Sequence, residues 1–298
     1  MKYALIRRNR HVWPIRVQCR MLGVSMAGYH EHFVRRLQIA GRRHLSAEAL
    51  VVHIRAVYVA HRGAYGWPRI WRALRAQGIR VGKQRVQQLM QQHGIRARGR
   101  RRFRVTTDSR HGLPIAPNLL HRNFTVEAPN QAWAGDITYI PTNQGWLFLA
   151  VVIDLFSRRV VGWSMQPEMR SHLVIDALEM AWLHRSPDRK NARQIFHSDR
   201  GSQYASYEFQ QLLNGRDIKP SMSRQGNCWD NACVETLFAS LKVERLHGRH
   251  FQTIRQAKDE VLDWLLWYNQ TRMHSTLGYL SPVEYETQWS QQRAAMTS

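Results

Sequence analysis

Residues 146–153 form the longest apolar run in the chain, eight side chains from Trp146 to Ile153 with no polar group among them. That is far short of the roughly 20 residues a membrane helix needs. The run must therefore be buried in protein, and its β-branched and aromatic content makes it a strand. Residues 132–139 and 160–165 have strand character on either side of it, with Asp154 and the turn 156–159 between the last two. Leu173, Val174, Ala177, Leu178 and Ala181 then recur at helical spacing over 172–184. A short strand over 194–197 and helices over 207–213 and 230–246 follow. Three strands in succession, then alternating helix and strand, define an α/β layer fold on a mixed sheet.

Charge divides the chain differently. Its 298 residues hold 44 Lys and Arg against 21 Asp and Glu, a net charge of +23. Residues 1–125 carry 26 of the basic residues and 3 of the acidic ones, and residues 126–298 carry 18 of each. The whole excess lies before the strands, which predicts a polyanionic partner held by the first part of the chain. A hydrophobic content of 44% excludes wholesale disorder. Three cysteines (Cys19, Cys228, Cys233) make no disulfide scaffold and lack the paired spacing of a zinc site, so the sequence predicts a reducing, cytoplasmic compartment. The basic start has no apolar segment of a secretory signal, and nothing spans a membrane, which leaves nucleic acid as the partner.

The basic part reads as helices. In 1–45, Pro14 opens a helix ended by Gly23, and Ser25 caps another to about residue 36, the outline of a possible helix-turn-helix. Region 46–105 is a second helix-turn-helix-like unit. Ser46 caps a helix to about 60, Pro68 opens one that Gly78 ends, and the next spans 83–93. On this last helix Val86, Leu89 and Met90 point inward, while Gln84, Arg85, Gln87 and Gln88 crowd the outside. Gln and Arg match adenine and guanine edges in the major groove, so Gln84, Arg85 and Gln88 are candidate DNA contacts; a merely solvated face is the other reading. Arg96, Arg98, Arg100, Arg101, Arg102 and Arg104 fall within nine residues with no acid, a tract suited to phosphates. Residues 106–126 read as a linker, 127–288 as the α/β core with a C-terminal helical extension, and 289–298 as a tail.

Three acids stand out by position: Asp136 in the first strand, Asp199 after the short strand, and Glu235 on the long helix, with 35 residues between the last two. Carboxylates from three elements can converge if a cation offsets their repulsion, and such hard oxygen donors suit Mg²⁺ or Mn²⁺. Two ions about 4 Å apart would clamp the attacking and leaving oxygens of a phosphoryl displacement. Each acid taken alone is equally compatible with a salt bridge or a cap. Asp154 reads as the cap of its turn and Asp230 as the N-cap of the Glu235 helix.

Further ordered motifs accompany these acids. They include Tyr65-Gly66-Trp67-Pro68-Arg69-Ile70, Asp136-Ile137-Thr138-Tyr139-Ile140, His197-Ser198-Asp199-Arg200-Gly201, and Asp230-Asn231-Ala232 with Glu235. Tyr268-Asn269, Arg272, His274-Ser275, Leu277-Gly278-Tyr279 and Ser281-Pro282 close the set. Over about residues 46–288 this pattern resembles the OrfB transposase of IS3-family insertion sequences. Its core resembles the DDE transposases and retroviral integrases, with their ribonuclease-H-like fold. The resemblance implies that Asp136, Asp199 and Glu235 are the catalytic, metal-binding triad, and that the 35-residue gap is the family's spacing. It further implies that Lys242 contacts the DNA end; Asn231, Glu235 and Lys242 share one helical stripe, which adds Asn231 to the DNA-facing set.

The implied activity is metal-dependent strand cleavage at element ends, followed by attack of the freed 3′-hydroxyl on DNA through a circular intermediate. Implied partners are double-stranded terminal inverted repeats, target DNA, further copies of the chain, and the OrfA product joined by frameshifting. The implied location is bacterial and nucleoid-associated. The retroviral zinc module is absent, since only Cys19 precedes the core. A non-catalytic DNA-binding regulator and a structure-specific nuclease of the same fold remain the competing readings.

Overall fold

A computed structural model describes residues 2–39, 45–99, 112–185, 194–224 and 228–297. At the start, α1 (Lys2–Arg8), α2 (Ile15–Met21) and α3 (Met26–Ile39) close around Ile6, Cys19 and Tyr29. Ser25 caps α3, its Oγ accepting from the Gly28 amide at 3.0 Å.

Helices α4 (Ala47–Ala60), α5 (Trp67–Ala76) and α6 (Lys83–Gln92) form a separate unit. Ser46 Oγ accepts from the Ala49 amide at 3.1 Å, and Pro68 sits in the first turn of α5. Leu50, Ile54, Ile70, Leu74, Val86 and Met90 make its core, while Gln84, Gln87 and Gln88 face outward.

The second part is a five-stranded sheet in the order β3-β2-β1-β4-β5. Its strands are β1 (Ala132–Thr142), β2 (Gly145–Asp154), β3 (Val160–Gln166), β4 (Ile195–Ser198) and β5 (Lys219–Met222). The first three pair antiparallel and β1, β4 and β5 parallel, a mixed sheet as the strand pattern predicts. Helices α7 (Ser171–Arg185), α8 (Ser202–Ala205) and α9 (Tyr207–Gly215) cover one face, and α10 (Ala232–Leu241) and α11 (Ile254–Gln270) the other. Leu149, Val151 and Ile153 enter one layer and Ala150 and Val152 the opposite one, which is why this strand carries no polar residue. Gly162 lets α7 lie against β3: a Cβ there would meet the Ala177 carbonyl oxygen at 2.1 Å.

Three local readings change. The helix expected over 230–246 is a 3₁₀ turn (Cys228–Asn231), then α10, then a π-helical turn (Lys242–Leu246). Strand β5 escapes the sequence because Lys219-Pro220 breaks apolar alternation; pairing with β4 makes it a strand. The stretch 112–126 has no helix or strand, yet Leu120 is buried in the sheet's core and the Leu119 amide donates to Ser221 Oγ at 2.9 Å.

Asp154 holds its turn as expected, Oδ1 accepting from the Phe156 amide at 2.9 Å. It also accepts from the Asn130 amide and from Arg185, which grips Glu286 of α12 (Pro282–Thr297) and so anchors the last helix. Burial raises the Asp154 carboxyl to about 6 against the pull of Arg185.

Candidate active site

Strand register sets two of the acids level. Ala132 pairs with Ile195 and Ala134 with His197 in the parallel β1–β4 ladder, so continuing it two residues brings Asp199 alongside Asp136. The approach is close: a Cβ on Gly135 would meet Phe196 Cζ at 2.6 Å. His197 fastens β4 to β5 by Nδ1 to Ser221 Oγ at 2.8 Å; burial lowers its pKa to about 4, keeping it neutral at pH 7.

The third acid comes from α10, which covers the face of the sheet to which Ala132, Ala134 and Ile140 of β1 turn. Buried Asn231 donates from Nδ2 to the Gly135 carbonyl at 3.2 Å, tying the start of α10 to the residue before Asp136. Glu235 follows one turn later. Asn231 thus faces the strand rather than solvent. Asp230 is not the cap expected of it. It is a buried hub accepting from Arg224, Arg122 and Asn118, and Arg224, then Arg122, hold its carboxyl well below the usual range. The residue at the cap position, Asn231, makes no side-chain cap bond.

The carboxylates act on one another. Burial raises Asp136 well above its ordinary value, and the charges of Asp199 and then Glu235 add to this, against the Ile137 amide at 2.8 Å and Lys242. Glu235 is raised by burial and by Asp199. Lys242, half-buried at the start of the π-helical turn, is lowered by burial and held up by Asp136. The Tyr204 phenol is pushed up by burial and both aspartates, so it stays protonated. Asp136, Asp199 and Tyr204 line a cleft of about 440 Å³. Among the described residues no three His, Cys, Asp or Glu side chains form a ready-made metal cage. The donors nonetheless fit a divalent cation: all are carboxylate oxygens, and their mutual repulsion is what such a charge relieves.

The candidate DNA contacts scatter. Gln84 and Gln88 are exposed on α6, whereas Arg85 donates to the Leu45 carbonyl at 2.9 Å. Arg98 donates to the Glu244 carbonyl at 3.0 Å, bridging the helical unit to the core. Arg100, Arg101, Arg102 and Arg104 lie outside the described residues.

That bridge is what sequence reasoning missed. Tyr65, fully buried, donates to the Thr271 carbonyl and accepts from the Met273 amide at 2.9 Å. Glu244 accepts from Arg272 Nε at 2.8 Å and Nη2 at 2.6 Å, and Arg69 approaches it to 3.6 Å. Tyr65, Arg69, Arg272 and His274 all stand in the motifs noted above; only their spatial meeting reveals the shared task.

A five-stranded mixed sheet with one acid within its central strand, one just past the neighbouring strand and one on a facing helix, preceded by a helix-turn-helix-like unit, is the architecture of an integrase-type core. Family models agree: an HTH-like domain matches residues 46–103, and integrase core domains match 126–228 and 216–282. Transposase InsF of insertion sequence IS3A from Escherichia coli K12 is 42% identical over 288 residues, covering 96% of this chain and 98% of the relative. A 31 kDa protein of insertion element IS600 from Shigella sonnei is 37% identical, covering 93% and 100%. Among solved structures, the HTLV-2 integrase catalytic core in complex with magnesium matches at 19% identity and a TM-score of 0.38, covering 53% of this chain and 97% of the other. The catalytic domain of Mos1 mariner transposase matches at 17% and 0.40, covering 46% and 70%. The chain belongs to the IS3 family of insertion-sequence transposases.

Proposed function

We propose that this transposase cuts one strand at each end of its insertion sequence and joins the freed 3′-hydroxyl to DNA, with Asp136, Asp199 and Glu235 as its catalytic triad. What supports this reading is the β1–β4 register, which when continued two residues sets Asp199 beside Asp136, together with the Asn231–Gly135 hydrogen bond that ties the start of the Glu235 helix to the residue before Asp136. Asp136 with Asp199, and Asp136 with Glu235, would hold two Mg²⁺ or Mn²⁺ ions. Bound there, the ions supply positive charge to the reacting phosphate and its attacking and leaving oxygens.

The chain's own groups do the rest. Asp136 stays fixed by the Ile137 amide. Lys242, beside Asp136, offers its ammonium to a DNA phosphate. The exposed Gln84 and Gln88 of α6 would meet base edges in the major groove, with Arg100, Arg101, Arg102 and Arg104 on phosphates. Arg85 and Arg98 would support that surface through their backbone contacts, and Asn231 would position Glu235. DNA ends, target DNA, a second copy of the chain and an OrfA partner complete the proposed assembly, on the bacterial nucleoid. Among the described residues no helix is long and apolar enough to cross a membrane.

The test is cleavage and joining of a duplex copied from the element's own ends, with Mg²⁺. Wild-type protein is expected to give both products and Asp136→Asn neither; full activity in Asp136→Asn would sink the proposal. Cleavage without joined products would instead mark a nuclease. Mg²⁺ should also raise the melting temperature of wild type and not of Asp136→Asn.

A further inference from the structure

The cleft holding Asp136 and Asp199 has a second wall that phosphate chemistry does not require. Tyr139 and Trp146 are 37% and 51% exposed, their rings edge to face with centroids 5.0 Å apart. Register puts them on one side of the sheet: Tyr139 pairs with Phe148 and Pro141 with Trp146, so alternation turns all three aromatic rings the same way. Phe148 and Ile137 continue the surface, and Gln203 stands on the same cleft. The Lys242 ammonium lies 5.5 Å from the centre of the Tyr139 ring. A bare aromatic pair on a sheet invites non-specific association unless something covers it in use.

We propose that this aromatic shelf binds one unstacked nucleobase of the DNA end, the base adjoining the phosphate held at Asp136 and Asp199. Several features select that occupant. The shelf and the acids share one cavity, so whatever lies on the shelf is joined to what the acids act on. A base offers a flat π-face to Trp146 and Tyr139 and a polar edge to Gln203, and its phosphate carries the charge that Lys242 complements. About 440 Å³ leaves room for a base beside its backbone. Stacking on the shelf would offset the loss of pairing and turn the terminal phosphate toward the carboxylates. The inference rests on the proposed triad for which phosphate reacts, and its test separates the two.

Two arms test it, both on the full chain and a duplex copied from the element's own end. In the first, EDTA is present, nothing is cut, and 5-iodouracil replaces the base next to the cleavage position. Irradiation is expected to crosslink it to Trp146 or Tyr139, read by peptide mass spectrometry; crosslinks confined to other residues overturn the proposal. This arm holds whether or not the triad assignment is right. In the second, cleavage is compared on a paired and a mispaired terminal position. Trp146→Ala should cut the paired end about tenfold or more slowly, as expected for one lost base–aromatic stack, and recover much of that rate on the mispaired end. Trp146→Phe should stay near wild type, which guards against a folding defect. A Trp146→Ala protein that cuts both ends at the wild-type rate refutes the shelf. Equal slowing on both ends does too, because loss of general fit would not distinguish them.

Discussion

The two parts of the molecule carry opposite lessons about charge. The helical part holds the entire surplus of +23, yet several of its basic side chains are engaged with the core rather than turned to DNA. Arg62 pairs with Asp263 at 3.1 Å, Arg69 approaches Glu244, and Arg98 donates to the Glu244 carbonyl. The core is neutral in sum, but its acids are sorted: Asp136 and Glu235 have raised pKa values, whereas Glu244 and Asp263 bind the helical unit. Net charge assigns a partner to a segment; it does not say which arginines face that partner.

The comparison can be broken at its extremes. Asp136→Asn, Asp199→Asn or Glu235→Gln should reduce strand cleavage about a thousandfold or more, since holding a cation at the reacting phosphate contributes several kcal/mol. DNA binding by the helical part should persist in a filter-binding assay; loss of both together would mean that the two parts do not divide the labour.

Next in size is Glu244→Ala, which leaves Arg272 buried without its partner. Urea denaturation should show a loss of about 3–5 kcal/mol, the range for a broken buried ion pair. Glu244→Gln should lose less. Because Glu244 sits two residues from Lys242 on the π-helical turn, a stable Glu244→Gln with slowed cleavage would sharpen the picture of one turn serving both parts.

A third prediction concerns acid. Burial, then Arg272 and Arg69, lower His274 from 6.5 to about 2. The unfolded chain takes up this proton first, so the contribution is fully present above pH 6.5 and is lost as pH falls below it. The slope is about 1.4 kcal/mol per pH unit for one proton. His274→Gln should remove that one proton's share of the slope between pH 6.5 and pH 5 and leave the like share of His197, itself lowered to about 4; an unchanged slope would place the sensitivity elsewhere.

The smallest effect belongs to the DNA face. Gln88→Ala should weaken binding to the element's end by about 1–3 kcal/mol and relax preference at one base pair. Arg101→Ala should weaken all sequences alike and shallow the salt dependence by roughly one unit of slope. Uniform loss from Gln88→Ala would remove α6 from base reading.

Much of this was legible in the chain. The polarity-free run at 146–153 announced a strand buried on both sides, Ser46 and Pro68 marked helix starts, and the spacing of Asp199 and Glu235 matched a known pattern. Such signals are local: periodicity reports which face is buried, and caps report where backbone amides need partners. What local pattern cannot carry is the identity of a distant partner. Asp230 has the profile of a cap but lies where Arg122, Arg224 and Asn118 converge, and Lys219-Pro220 becomes a strand because β4 offers an edge. Tyr65 and its backbone partners Thr271 and Met273, the former 206 residues away in sequence, meet only when two units dock. The sequence by itself determined the layers, the helix-turn-helix outline and the three candidate acids. Tertiary structure decided that the β1–β4 register runs on to set Asp199 beside Asp136, that Asn231 ties the start of the Glu235 helix to β1, and that Tyr139 and Trp146 stand exposed on the same cleft, because those facts depend on pairings between segments that no local pattern encodes.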